Sequence, residues 1–504
     1  MLIKNNTNVD KTVDVIVVGY GLAGAVAAIT AHGEGAETLI LEKQLSNDHW
    51  SNSSASGGVF ICPSDVKGAI KFLEGLYRVN EDLYWTDRDI IKIWGEYTAE
   101  NRDWLEKMGG NVKLLSRNRA EHPEIPGSEA IDVYQFNGYG YGMMKFFHQH
   151  LSQRKIEVMY GARAKALTTN LKGEVVGVKL QTKQGVEQRE MNIRASRAVI
   201  LTCGGFEFNE EMKLKYLGLY PLYFNGSPAN TGDGIRMAMA VGSDLWHMNC
   251  CSAGFGAKFP DYPLHFFLDS GGRGWLRRVA FGEDKPESSG FVVVDKYGRR
   301  FTNENLKFHC AYYELALFNT QKLDYPRIPC YFIFDQKRMN AGPLPLVTCG
   351  PAGALQLYKW SQSNNIELEK GWIIAAGSIR ELARRLDISP DVLERTIQTY
   401  NGYSQEGKDP EFNRRATDLV PLTNPPFYAV TLWPAGHNTQ GGPKRNRRAQ
   451  IVNTDGDPIP RLYSAGELGS VYGMLYPQAG GNLAECIAFG RIAGENAAKE
   501  TPST

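Results

Sequence analysis

Residues 13–42 read VDVIVVGYGLAGAVAAITAHGEGAETLILE, and their pattern decides the fold class. Val13, Val15, Ile16, Val17 and Val18 form a β-branched run suited to a strand buried on both faces. Gly19, Gly21 and Gly24 follow as G-x-G-x-x-G. A small-residue helix is predicted over Ala23–Ala31, then a second strand over Thr38–Leu41, ending on Glu42 and Lys43. Strand, glycine turn, helix and strand in this order are the context that the dinucleotide fingerprint requires. Gly19 permits the tight turn, Gly21 lets a pyrophosphate reach the backbone, and Gly24 lets the helix pack on the strand. The helix start at Leu22 and Ala23 offers N–H groups and a positive dipole end to phosphates. Glu42 is placed to accept hydrogen bonds from a ribose. The fingerprint alone does not choose between FAD and NAD.

The 504 residues suggest two or three domains with ample core. With 42% hydrophobic and 22% charged residues the composition is that of an ordinary globular protein. The net charge of +1 argues against nucleic acid or a strongly anionic partner. No apolar run approaches the roughly 18 residues of a membrane span, and the N-terminus MLIKNNTNVDKT has no apolar signal core, so a cytoplasmic protein is expected. The eight cysteines are scattered, with no CxxC, no haem-attachment spacing and no paired metal spacing, so no metal is expected.

Working outward, SNSSASGGVF (51–60) reads as a small-residue loop able to run close to a cofactor, through Ser54, Ala55, Ser56, Gly57 and Gly58. Residues 66–110 read as helical, and FNGYGYGMMKFFHQHL (136–151) as a glycine-tyrosine turn into an amphipathic helix, with Tyr139 and Tyr141 able to reach a pocket. Residues 156–200 alternate like a β-meander and lead into RAVILTCGGF, an apolar strand that ends on Cys203 and Gly204. NTGDGIRMAMAVG (230–242) gives a polar turn holding Asn230 and Asp233, then a helix. Composition changes near residue 250, and 250–290 lack clear periodicity. FVVVDKYGRRFTNE (291–304) reads as strand, turn and strand, and 365–404 as helical, with Ser389 as N-cap before Pro390. Near the end, Leu462–Ala465 reads as a strand, Gly466–Glu467 as a turn, and Gly480, Gly481, Asn482 and Leu483 as the opening of a terminal helix. Residues 10–260 and 437–500 are thus assigned to the dinucleotide-binding domain, and 261–436 to a second domain inserted into it.

The segments VIVVGYGLAG, SSASGGV, ILTCGGF, NTGDGIRMAMAVG, GRRFTNE, LERTIQTYNGYSQEGKDPEF, TQGGP and LYSAGELGSVYG…GGNLAECIAFGRIAG together resemble the flavoprotein superfamily of fumarate reductases and 3-ketosteroid dehydrogenases. The resemblance covers nearly all of the chain. It implies an α/β fold: a Rossmann-like FAD-binding domain of glutathione-reductase type with an inserted α+β capping domain. It also implies hydride transfer through flavin N5 across a carbon–carbon bond activated by a carbonyl or carboxylate.

Departures from the fumarate reductase pattern are specific. The motif that resembles ANRLGGN is YPQAGGN here, so Gln478 stands where an arginine clamps a substrate carboxylate. Phe308 stands where an acid-donating arginine would follow RFxNE, and HHTMGG is His437-Asn438-Thr439-Gln440-Gly441-Gly442, one histidine short. Without these cations a dicarboxylate is poorly held. Tyr476, Pro477 and Gly480 instead match the Y-P-x-x-G of ketosteroid dehydrogenases, in which a tyrosine hydroxyl and a glycine N–H hold a ketone oxygen. That family's basic tyrosine would fall on Phe308, which leaves Tyr312 and His309 as candidate proton-transferring residues. Ser51 occupies the place of the histidine that bears covalent flavin in respiratory relatives, so non-covalent FAD is implied, although His49 is near.

The expected activity is oxidation or reduction next to the ketone of a steroid or a smaller cyclic substrate. An alternative is an enoate reductase acting on a monocarboxylate such as an arylacrylate, which would need a replacement cation: Arg299, Arg300 or Lys307. A flavin-binding subunit without turnover is a third possibility that a cap domain argues against. With no second fingerprint and no haem or iron–sulfur ligands, a separate electron donor or acceptor is expected.

Overall fold

A computed structural model describes residues 9–118, 120–184, 187–268, 289–305, 309, 311–346, 349–353 and 355–503. The fingerprint stretch folds as strand β1 (Lys11–Val18), helix α1 (Leu22–Gly33) and strand β2 (Thr38–Leu41). β1 and β2 run parallel, with Val15 opposite Thr38 and Val18 opposite Leu41. The four residues Val15–Val18 are buried, as a strand covered on both faces requires. The sheet order is Gln450–Val452, Pro458–Ser464, Glu187–Leu201, β1, β2 and Glu157–Met159. All pairings from Pro458–Ser464 to Glu157–Met159 are parallel. α1 is buried along most of its length because its partner, the terminal helix Gly481–Ala498, comes unusually close. A Cβ at Gly494 would lie 2.6 Å from the Ala27 carbonyl oxygen, so the two backbones almost touch there.

The chain divides into two compact units: residues up to Gly218, Gly226–Cys251 and Asn438 onward form the first, and Leu219–Asn225 with Ser252–His437 form the second. The second unit has its own sheet, in the order His265–Phe266, Cys251–Lys258, Phe427–Thr439, Cys330–Asp335 and Phe291–Asp295. The strand Phe427–Thr439 carries Tyr223–Phe224 and Ile374–Ala376 at its sides. Both units combine helices and sheets in a mixed α/β fold. Among the described residues no helix is long and apolar enough to cross a membrane.

Several local expectations need correction. Ser51–Ser56 is not a loop: Asn52–Ala55 is a one-turn helix, with Ser51 and Ser54 bonded reciprocally as a capping box. Residues 251–258 form a strand that the sequence conceals, because CSAGFGAK is buried on both faces and shows no alternation. The return strand expected after Phe291–Asp295 shrinks to a single bridge between Val294 and Arg300. The guanidinium of Arg300 is drawn into a buried ion pair instead. Over 365–404 three helices, Asn365–Glu369, Ile379–Arg385 and Pro390–Glu406, are interrupted by the strand Ile374–Ala376. Ser389 precedes the last helix, but its side chain makes no capping bond. Tyr141 points to solvent rather than to a pocket.

Candidate functional site

A cavity lies within the first unit. Its floor is the fingerprint turn, Gly19–Ala23, and the end of β2 with Glu42 and Lys43. Cys203, Gly204, Asn230, Asp233 and Glu467 complete the wall from segments far apart in sequence. All of these residues except Tyr20 are expected at a cofactor site from the sequence. Gly24 stands behind the turn, where a Cβ would lie 2.1 Å from the Gly19 carbonyl oxygen. Gly466 also sits behind the wall, its Cβ position 2.8 Å from that of Ala23. Ser54 and Ala55 are buried inside the one-turn helix, and Gly58 abuts the backbone of Tyr139. Ser56, Gly57, Gly481, Asn482 and Leu483 do not line this cavity. Reasoning from sequence missed Tyr20, Gln44, Trp50, Asn52, Arg163 and Thr202, which do. Asn52 lay inside a segment already quoted; Arg163 arrives from an ordinary alternating strand and carries no local signal.

The cavity's polar groups suit a dinucleotide. The Glu42 carboxylate accepts from Tyr20 N at 3.0 Å and from Gln44 N at 2.8 Å, which fixes it at the strand end with acceptor capacity to spare for a ribose. The Lys43 ammonium lies 2.9 Å from Asp233 Oδ2, and Arg163 lies 3.1 Å from Asp233 Oδ1. Burial works to raise the Asp233 pKa, but these two cations hold it below the ordinary value. Two cations to one carboxylate leave the cluster net positive, as a pyrophosphate needs. Leu22 N donates to Ser53 Oγ at 3.2 Å, at the start of α1. The residues present therefore fit FAD. Ser51 caps the one-turn helix through its hydroxyl, and His49 Nε2 lies 2.9 Å from the Tyr20 carbonyl oxygen, its ring stacked on that of Tyr20.

Gly24→Ala is expected to leave the purified protein colourless. A methyl group 2.1 Å from a backbone oxygen has no flexible neighbour to displace, so the turn must open, at about 1–3 kcal/mol or more. Flavin absorbance per mole of protein checks this; a fully yellow variant contradicts it.

A second constellation, also in the first unit, gathers at the start of the terminal helix. The Tyr476 hydroxyl accepts the Asn482 N–H at 2.7 Å, and the ring lies against Gly481. Burial pushes the Tyr476 phenol well above its ordinary pKa, with the Asn482 N–H working the other way, so it stays neutral and keeps its proton. Gly480 is left-handed, with φ +96°, and a Cβ there would lie 2.8 Å from the backbone of Phe60. Tyr472 donates to the Gly481 carbonyl at 2.7 Å and accepts from Trp94 Nε1 at 2.8 Å. The Asn482 and Gln440 side-chain amides pair with each other at 3.0 and 3.3 Å. Arg445 and Glu485 form a fully buried ion pair, and Glu485 also accepts from Ser470 Oγ at 2.6 Å. The segment that carries Tyr476 is thereby tied down at both ends. Gln478 is buried here and carries no charge.

The remaining two candidates belong to the second unit. Tyr312 is 3% exposed and opens the short helix Tyr312–Leu315. The His309 ring lies 5.8 Å from that of His437. Burial, with repulsion from His309 and His265, drives His437 far below the usual imidazole pKa, so it is neutral. Phe308 and Lys307 lie outside the described residues. Arg299 is exposed. Arg300 is buried and bound to Glu304 at 2.8 and 3.0 Å and to Asp409 at 2.8 Å.

A family model described as FAD binding domain matches residues 14–483 of this chain. The chain belongs to that family. Digoxin reductase of Eggerthella lenta is 26% identical over 97% of this chain and 87% of its own length. The 3-oxosteroid 1-dehydrogenase of Mycolicibacterium smegmatis is 30% identical over 95% and 96%. Among solved structures, the 3-ketosteroid Δ1-dehydrogenase of Sterolibacterium denitrificans, in complex with 1,4-androstadiene-3,17-dione, covers 97% of this chain and 99% of its own, with a TM-score of 0.81 at 21% identity. Fumarate reductases fall in the same group. The relatives are FAD-dependent oxidoreductases acting on CH–CH bonds, and this FAD-binding chain is an enzyme of that class.

Proposed function

We propose that this flavoprotein adds or removes hydrogen across the carbon–carbon bond next to a ketone, in a steroid or a smaller cyclic substrate. The carrying observation is the neutral, buried Tyr476 hydroxyl held at the start of the terminal helix, beside the left-handed Gly480. A neutral phenol is both donor and acceptor, so a ketone oxygen that enters can take its proton. Tyr476 and the Gly480 N–H hold the ketone oxygen and stabilise the negative charge that it gains as the α-proton leaves. Tyr312 or His309 takes or returns that proton. FAD, bound non-covalently, supplies the hydride acceptor or donor at N5. In this reading the first unit is a glutathione-reductase-type FAD domain, bound through the residues singled out above, and the second unit is its cap. Redox equivalents pass to or from a separate partner, in the cytoplasm.

The relatives named for digoxin and for 3-oxosteroids support a polycyclic substrate. Among the described residues the charges support a ketone over a carboxylate. Gln478 is uncharged, and Arg300 is neutralised by two carboxylates. An enoate would need a cation that neither supplies.

Anaerobic mixing of the yellow protein with saturated cyclic ketones and 3-ketosteroids tests this. Bleaching of the flavin by a ketone is expected in the oxidative direction, and reoxidation of the dithionite-reduced protein by an enone in the reductive one. Reoxidation by an arylacrylate alone would replace the proposal with the enoate reductase, and no response to any of them would overturn both.

A further inference from the structure

Two carboxyl groups in the first unit, one buried and one half-buried, share a donor and have no counterion among the described residues. Glu207 is fully buried, and Glu467 lines the FAD cavity. They share one donor. The Asn52 amide nitrogen lies 3.5 Å from Glu207 Oε1 and 3.0 Å from Glu467 Oε2. The amide cannot be turned to serve otherwise, because its oxygen accepts from Ser227 N at 2.7 Å. Thr439 N donates to Glu207 Oε1 at 3.1 Å and Gly205 N to Glu467 Oε1 at 3.2 Å. The position between them is tight. A Cβ on Gly205 would lie 2.8 Å from Glu467 Oε1 and 3.1 Å from Glu207 Oε1.

No lysine, arginine or histidine among the described residues lies within ion-pair distance of either carboxyl. The titratable groups that feel Glu467 from the terminal segment are Tyr476 and Cys486, and burial keeps both neutral. Lys43 is committed to Asp233 on another wall. The second oxygen of Glu207 is buried with no donor among the described residues. A proton on that oxygen, or shared with Glu467, supplies the missing hydrogen bond. Two carboxylates that share one amide donor, one of them fully buried, resist being ionised together. Burial raises the pKa of both, and the repulsion from Glu207 raises that of Glu467 further.

We propose that Glu207 and Glu467 hold one proton between them as a single acid pair, so that the wall facing the bound FAD carries one negative charge there rather than two. A second negative charge beside the anionic cofactor would expel it. Cofactor retention is therefore linked to that proton: its contribution is fully present below the ordinary carboxyl pKa of the unpaired groups and is lost as pH rises from there through the pair's raised pKa. The inference rests on FAD binding, not on the ketone chemistry, and its readouts need no substrate.

The test is infrared spectroscopy of the holoprotein, oxidised against reduced, in H₂O and in D₂O. A protonated carboxyl C=O band that shifts in D₂O is expected near neutral pH, and it should disappear in both Glu207→Gln and Glu467→Gln. Its absence from the unsubstituted protein, or its survival in both variants, would overturn the proposal. If neither variant retains FAD, the unsubstituted protein still decides. Its flavin affinity must fall as pH rises, by up to about tenfold per pH unit for a single linked proton, while the holoprotein that remains keeps the band. A flavin affinity that does not change with pH would refute the linkage. Where Glu467→Gln does retain FAD, its release should be flat over the same pH range, and an unchanged pH dependence would refute the pair's role.

Discussion

Tyr476→Phe should lower kcat by about 10²–10³, equivalent to roughly 3–4 kcal/mol, with the flavin spectrum intact. The loss is confined to one oxygen. The ring keeps its packing against Gly481 and Tyr472, and the FAD cavity does not use the residue. What vanishes is a neutral donor to an oxygen that gains charge as the α-proton leaves, a contribution felt mainly in kcat rather than in KM. The alternative role for Tyr476, a ring packed at the helix start, makes a different prediction. The same substitution then leaves the Asn482 N–H without its acceptor, at about 1–3 kcal/mol of stability, while kcat stays within about twofold. Steady-state kinetics beside chemical denaturation separates the two.

Glu304→Gln should destabilise the second unit by about 3–5 kcal/mol. Glu304 is 4% exposed and sits between two buried guanidiniums. Arg300 binds it with two hydrogen bonds, and Arg414 Nη1 reaches it at 3.1 Å. Asp409 makes the fourth member, so two cations face two anions. Removing one anion leaves a buried positive charge uncompensated, and that penalty exceeds whatever the intact pair contributed. The pair Arg385–Glu381 is the control. It has the same chemistry at i,i+4 on an exposed helix face, and Glu381→Gln should leave the unfolding midpoint almost unchanged. Urea unfolding followed by tryptophan fluorescence, to which Trp360 and Trp372 of the second unit contribute, compares the two. Equal losses would show that burial does not set the strength of this network.

The two units differ in how much of them the sequence reveals. The fingerprint stretch is legible because each of its elements is specified locally: β-branched residues for β1, glycines at fixed offsets, and a small-residue helix. The strand Cys251–Lys258 is not legible. Its residues are small and buried on both faces, so alternation disappears, and Gly256 is there to admit the His265 ring, whose Nδ1 would lie 2.5 Å from a Cβ. The one-turn helix Asn52–Ala55 is too short for any period to show. The same contrast holds for the sites. Glu42 and Gly19 announce themselves, whereas Glu207 looks like a turn residue after Gly204–Gly205. Its significance comes from Asn52 and Glu467, which only the folded chain brings to it.

The order of synthesis gives the division of the first unit another meaning. The fingerprint leaves the ribosome first, yet the helix that covers α1 and the glutamate that closes the cavity lie in the last part of the chain. Between them the whole of Ser252–His437 must be made, which at about 5–20 residues per second takes roughly 10–40 s. Through that interval the small-residue face of α1 waits without its partner, and no nascent chain short of the terminal helix has a complete cavity in which to keep FAD. The cofactor is thus acquired after translation by a finished chain, and C-terminal truncations should yield colourless protein even though every fingerprint residue is present.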